Sequence, residues 1–177
     1  MKNVDVIIPT RGRAKKLLRM LDSIPSAAGD VTIRILVGFD GDPVTAGRFE
    51  GYTLIDKMFL FPGHKGSIAV RNRMLQECED AVIYAVDDII FQAGAIESAI
   101  ASMQSHFPDD DGLIGFKVVN AESQCKAGVG LIGRAFLQRY PDRQLFHPGY
   151  FHFGAQEILW AAEHLKRFYF DENAKLL

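Results

Sequence analysis

Apolar positions come along this chain in short blocks that alternate between two periods. Val4 to Ile8 is a β-branched run closed by Pro9, which predicts a strand, and Ala14 to Leu21 follows with Leu17, Leu18 and Leu21 at helical spacing. The strand signal returns at Thr32 to Gly38 through Ile33, Ile35, Leu36 and Val37, and Asp40, Gly41, Asp42 and Pro43 stop it with turn residues. A third strand is predicted within Tyr52 to Phe61, interrupted by Lys57. A helix over Ser67 to Glu79 follows, with Ile68, Leu75 and Cys78 on one side. Ala81 to Val86 is apolar on both faces, the mark of a central strand, and a helix from about Ala93 to His106 comes next. From Gly112 the pattern changes. It predicts a strand over Gly112 to Val119, a polar loop over Asn120 to Gly128 and a short helix over Gly133 to Tyr140. A strand over Tyr150 to Phe153 and a final helix over Ala155 to Leu165 complete it.

Strand and helix alternating through the first two-thirds predict an α/β fold of Rossmann-like character. Its central sheet is mostly parallel with helices on both faces, and ligands sit outside the carboxyl ends of the strands. The length of 177 residues suits one domain with a sizeable core. Twenty Lys and Arg against twenty-two Asp and Glu leave a formal charge of -2, so no global field gathers nucleic acid or an anionic membrane. The first strand-like run starts at Val4, which leaves no room for a signal peptide and predicts a cytoplasmic protein. No apolar stretch approaches the roughly 18 residues that span a bilayer. Cys78 and Cys125 lack CxxC spacing, so neither a disulfide framework nor a zinc site is indicated.

Several segments carry chemistry at the predicted strand ends. Pro9, Thr10, Arg11, Gly12 and Arg13 place two guanidiniums and a glycine after the first strand, as a solvated basic turn or as a loop approached by an anion. Asp40, Gly41 and Asp42 end the second strand, as a plain turn or with a carboxylate that accepts hydrogen bonds from a base or ribose or binds a cation. Gly66 opens a helix near Arg71 and Arg73, and a helix amino terminus with nearby cations favours phosphate. The two arginines lie about 200° apart around the helix. Arg71 shares the side of Ile68 and Leu75 and leans inward, either toward a ligand or as a structural strut, while Arg73 meets solvent. Asp87 and Asp88 are adjacent carboxylates directly after a buried strand. They repel each other unless something positive sits beside them. A divalent ion shared with diphosphate oxygens, Mg²⁺ or Mn²⁺, would relieve that, and so would a role as turn caps. Glu157 stands in the first turn of the last helix, where the helix dipole favours a carboxylate in any case. His147, His152 and His164 have no ligand spacing and read first as surface or packing residues.

In their order along the chain, these segments resemble the family 2 glycosyltransferases of the GT-A fold over nearly the whole length. Val6 through Arg13 is similar to that family's opening strand and nucleotide loop, and Val37 through Asp42 to its second strand with a base-contacting aspartate, here Asp40. Gly66 through Asn72 is similar to its Gly, then Ala-Arg-Asn, helix. Val82 through Ile90 is similar to the strand with the metal-binding Asp-x-Asp motif, and Gly154 through Trp160 to the acidic helix of the catalytic base. The resemblance implies a nucleotide-sugar half over 1–111 and an acceptor half over 112–177. Pro9, Thr10, Arg11, Arg13, Asp40, Gly66, Arg71 and Asp87 would hold the donor, a UDP-sugar. Asp88 with Asp87 would bind Mn²⁺ or Mg²⁺. It implies an inverting transfer in which Glu157, partly buried beside Trp160 or Phe153, deprotonates the acceptor hydroxyl; Asp171 and Glu172 are the next carboxylates in line. The acceptor stays open between a saccharide, a lipid, a protein and a modified nucleic-acid base.

The sequence departs from the family pattern at two places. Val86 stands before Asp87 and Asp88 where a further acidic residue is common, and Gln156 precedes Glu157 where an acidic pair is usual. Two other functions therefore remain in view. One is a nucleotidyltransferase-like enzyme on a similar sheet, and the other a nucleotide-sugar-binding module that has lost catalysis.

Overall fold

The computed structural model describes residues 3–119, 121, 125–151 and 154–177. Among the described residues there are seven strands: β1 (Asn3–Thr10), β2 (Thr32–Phe39), β3 (Lys57–Leu60), β4 (Ala81–Tyr84), β5 (Leu113–Val118), β6 (Gly130–Ile132) and β7 (Phe168–Leu176). They form one sheet in the order β3-β2-β1-β4-β6-β5-β7. The first four neighbours pair in parallel, β6 runs antiparallel to both β4 and β5, and β5 and β7 are again parallel. The helices are α1 (Ala14–Ala28), α2 (Pro43–Gly47), α3 (Ser67–Leu75), α4 (Ala95–His106), α5 (Arg134–Leu137) and α6 (Ala155–His164).

Strand side chains alternate between two cores. In β1, Val4, Val6 and Ile8 enter one core with Leu17 and Leu21 of α1 and Ile96 of α4, while Ile7 enters the other with Ile68 of α3 and Ile158 of α6. In β4, Ala81 and Ile83 face the first core, and Val82 and Tyr84 the second. A strand buried on both faces must be apolar at nearly every position, which is why β1 and β4 read as continuous runs. Each fully buried Ile or Leu contributes on the order of 1.5–3 kcal/mol, so the two faces of the sheet together dominate stability.

The structure corrects the predicted pattern in places. Helix α1 runs past Leu21 to Ala28 with Pro25 inside it, and α3 stops at Leu75. Helix α2 and strands β6 and β7 lie where the apolar pattern marks no element. Tyr150 and Phe151 are not strand, while His152 and Phe153 lie outside the described residues. Among the described residues, no helix is long and apolar enough to cross a membrane.

Candidate functional site

Three adjacent parallel strands, β2, β1 and β4, deliver their carboxyl ends to the same edge of the sheet. Thr10 ends β1, Asp40 follows β2, and Asp87 and Asp88 follow β4 by way of Ala85 and Val86. A cavity of about 630 Å³ opens there. Pro9, Thr10, Arg11, Arg13, Asp40, Arg71, Asp87 and Asp88 all line it, together with His64, Cys125 and Gln156. Residues from both halves of the sequence thus share one wall system.

The β1 loop is held from below. Gly12 adopts φ 69°, a left-handed conformation that suits glycine, and its N–H donates to Asp42 Oδ2 at 2.6 Å. Asp42 Oδ1 also accepts from Thr45 N at the start of α2. Burial raises the Asp42 pKa, but the hydrogen bonds from Thr45 and Gly12 outweigh it and hold the carboxyl below the usual range. The Arg11 and Arg13 side chains are exposed, on a loop whose backbone is fixed.

Asp40 is buried and accepts from Lys65 N at 2.6 Å and Gly66 N at 3.0 Å, while His64 Nε2 lies 3.2 Å from it. It therefore fastens the loop before α3 to the end of β2. Gly66 has φ 87°, and a Cβ there would meet the Phe151 ring at 2.7 Å, so this position admits glycine alone. Gly66 lies under Phe151 rather than on the cavity wall.

Arg71 is buried, as its helical side predicted, and Arg73 is exposed and paired with Glu77. Arg71 Nη2 donates to Ala85 O at 2.9 Å and the guanidinium sits 5.2 Å from the Phe146 ring. Its Nε has no hydrogen-bond partner among the described residues, and burial pushes its pKa down to about 10. Among the described residues it has no salt-bridge partner beneath α3, and it lines the cavity instead. Next to it, Asn72 donates to Phe146 O at 2.7 Å and accepts from Phe146 N at 3.2 Å, which ties the 145–151 segment to α3.

The adjacent carboxylates have positive neighbours. Asp87 is buried; its Oδ2 accepts from the Thr10 hydroxyl at 2.7 Å and its Oδ1 from Arg13 Nη1 at 3.0 Å. Asp88 Oδ2 lies 3.2 Å from the same nitrogen and 3.4 Å from Lys16 Nζ. The hydrogen bond and charge of Asp87 raise the Arg13 pKa further, so this guanidinium is always charged. Among the described residues, no three His, Cys, Asp or Glu side chains converge to hold an ion by themselves. The donor set instead fits an ion shared with a ligand, because Asp88 is partly exposed on the cavity wall and its two cationic partners are themselves exposed.

Glu157 is placed differently from its expectation. It is exposed and absent from the cavity wall, and Trp160 is 65% exposed, so no partial burial beside that ring arises. Neighbouring helical positions point about 100° apart, and the phase of α6 turns Gln156 to the cavity. Phe153, the other proposed cover, lies outside the described residues. Asp171 is committed to structure: it accepts from the Ser98 and Ser102 hydroxyls, each at 2.8 Å, and from Asn173 N. Glu172 is exposed beside Lys117. His147 and His164 are exposed and away from the cavity, and His152 lies outside the described residues. His64, Gln156 and Cys125 are cavity residues that the sequence did not single out as part of a site. Only Gln156 carried a signal, as the first polar residue of the last helix.

No protein-family model matches the sequence, and no curated protein sequence is significantly similar to it. Solved structures are similar in fold. TarS of S. aureus in complex with UDP superposes with a TM-score of 0.74 at 19% identity, covering 96% of this chain and 57% of that one. The mannosyltransferase PcManGT from Pyrobaculum calidifontis, in complex with GDP-Man and Mn²⁺, gives 0.74 at 14% identity, covering 98% and 55%. TarS in complex with UDP-GlcNAc gives 0.74 at 19% identity, covering 96% and 56%. The chain thus spans little more than half of PcManGT and of the 1-349 portion of TarS, and 35% of the longer TarS chain. Over nearly all of its own length it has the GT-A fold that these glycosyltransferases share.

Proposed function

We propose that this chain binds a nucleoside-diphosphate sugar in the cavity at the β2-β1-β4 edge and transfers the sugar to an acceptor hydroxyl in a metal-dependent, inverting reaction. The observation that carries this is the convergence of an unpaired buried Arg71 Nε, the basic Arg11 and Arg13 loop and the Asp87 and Asp88 pair on one cavity in this fold. The donor's base and ribose lie toward Asp40, and its diphosphate toward the β1 loop. UDP is the favoured nucleotide because TarS, of the same fold, is known in complex with UDP and UDP-GlcNAc.

Asp88, with Asp87 behind it, would hold Mn²⁺ or Mg²⁺, which when bound offsets the charge that develops on the leaving diphosphate. Arg11 and Arg13 stand on the same side and act on the same charge. The acceptor enters from the α6 side, opposite the leaving diphosphate, and a single displacement from that side inverts the anomeric carbon. Gln156 faces this side and its amide would position the incoming hydroxyl, whose proton passes to solvent at the mouth of the cavity as the nucleoside diphosphate leaves with the bonding electron pair. Saccharide, lipid, protein and modified-base acceptors are all compatible with this arrangement. The test is a thermal-shift titration with UDP, UDP-GlcNAc and GDP-Man, with and without Mn²⁺. Stabilisation that needs both nucleotide and metal supports the reading, and no shift with any nucleotide refutes it.

One observation favours a second reading. The α6 residue on the cavity is a neutral amide, and the carboxylate beside it faces outward. A binding module without transfer predicts the same thermal shifts with no release of UDP from UDP-GlcNAc in any acceptor mixture.

A further inference from the structure

The placement of Arg13 bears on how a divalent ion would enter. A single nitrogen, Nη1, lies 3.0 Å from Asp87 Oδ1 and 3.2 Å from Asp88 Oδ2, so the guanidinium bridges both carboxylates. Lys16 adds a second positive charge at 3.4 Å from Asp88. Two carboxylates and two cations balance, which answers the repulsion that adjacent aspartates would otherwise suffer. The Arg13 side chain is 51% exposed and sits on the cavity wall beside Arg11. It can therefore leave the carboxylates without unpacking the core.

We infer that Arg13 is an internal counter-cation at the Asp87–Asp88 pair, and that a divalent ion enters only together with a diphosphate that takes the guanidinium over. This rests on the nucleotide-sugar reading above. A divalent ion alone must displace Arg13 or sit against it, and it leaves the guanidinium without an anion inside a site that has become net positive. A nucleoside diphosphate changes the balance. It brings negative charge and paired oxygens that match the planar fork of an arginine, so Arg13 exchanges carboxylates for phosphate as the ion takes its place. Metal and nucleotide then each strengthen the binding of the other by the same factor.

The test measures free Mn²⁺ by electron paramagnetic resonance with the whole chain, with and without UDP. Wild type should bind Mn²⁺ alone about tenfold or more weakly than in the presence of UDP, a coupling within the usual range for linked sites. Arg13→Ala should bind Mn²⁺ alone about tenfold more tightly than wild type, and its response to UDP should shrink. Lys16→Ala, which removes a charge that touches Asp88 alone, should give a smaller gain. Equal Mn²⁺ affinity in wild type and Arg13→Ala overturns the proposal. So does an equal gain from Lys16→Ala, which reports general electrostatics, or a gain that survives addition of Asp88→Asn, which puts the ion elsewhere. The metal-alone comparison needs no nucleotide. Failure of UDP to bind any variant therefore defeats the nucleotide-sugar reading separately, while the Mn²⁺ affinities still decide whether Arg13 holds the ion out.

Discussion

Replacing Arg71 with Met should leave stability nearly unchanged while most nucleotide affinity is lost. Burial holds the guanidinium pKa at about 10 against an ordinary 12.5. At about 1.36 kcal/mol per pH unit, keeping that charge in the interior costs on the order of 3 kcal/mol. Against this stand the hydrogen bond to Ala85 O and the Phe146 ring contact, together worth about 2 kcal/mol. Methionine removes the charge, keeps much of the volume and leaves the Ala85 carbonyl without this donor. The opposing terms nearly cancel, so Tm should move by no more than about 4 °C either way for a chain of this size. Losing a charge-assisted contact to the diphosphate should weaken UDP binding by roughly 10- to 150-fold, from about 1.5–3 kcal/mol. Calorimetry of UDP binding in Mn²⁺ and a melting curve on the same variant give both numbers. A fall in Tm of about 8 °C or more would make Arg71 a structural strut. Unchanged UDP affinity would remove it from the site.

Arg73→Ala, on the outer side of the same helix, should leave UDP affinity within about twofold and Tm nearly unchanged, because its pair with Glu77 is exposed to solvent, read by the same two assays. Asp42→Ala should cost about 1 kcal/mol by uncapping α2, and it should also weaken UDP binding because Gly12 loses its anchor. Because the folded state depresses the Asp42 pKa, its contribution is present above the ordinary carboxylate value of about 4 and is lost as pH falls through the folded value. Acid unfolding followed by circular dichroism should therefore show a smaller loss of stability in Asp42→Asn than in wild type. Glu157→Gln should leave sugar transfer within about twofold, since a positioned base is worth 10²-fold or more and Glu157 does not reach the cavity. Gln156→Ala should lower transfer with donor affinity preserved. Loss of transfer in Glu157→Gln alone would reverse this assignment.

What the sequence made legible follows from which constraints are local. Strands β1 and β4 announce themselves because both faces are covered, and α3 shows its inner side through Ile68, Arg71 and Leu75. Strand β7 stayed hidden because Asp171 to Asn173 break its apolar alternation. Asp171 is buried only because Ser98 and Ser102, some seventy positions earlier, supply its hydrogen bonds. Strand β6 has three residues, and Gly130 is required where Tyr84 Oη would lie 2.6 Å from a Cβ. No period can reveal a strand of that length. On α6, Gln156 and Glu157 differ by one position, and only the packing of Ile158, Leu159 and Ala162 settles which of them faces the cavity.

The adjacent aspartates show the same division at the heart of the site. Their sequence position says that two carboxylates end a buried strand and need positive charge; it says nothing about where the charge comes from. The parallel pairing of β1 with β4 answers that, by setting Thr10 and Arg13 beside residues more than seventy positions away. With β2 paired on the other side of β1, Asp40 joins the same edge. The strand order therefore builds one polar cavity from three turns that each look ordinary alone. It also supplies the carboxylates with a removable partner, since Thr10 is buried and fixed while Arg13 and Lys16 reach in from solvent. A carboxylate pair arranged in this way is balanced by its own two cations and becomes available to a divalent ion when an anionic ligand draws the arginine away.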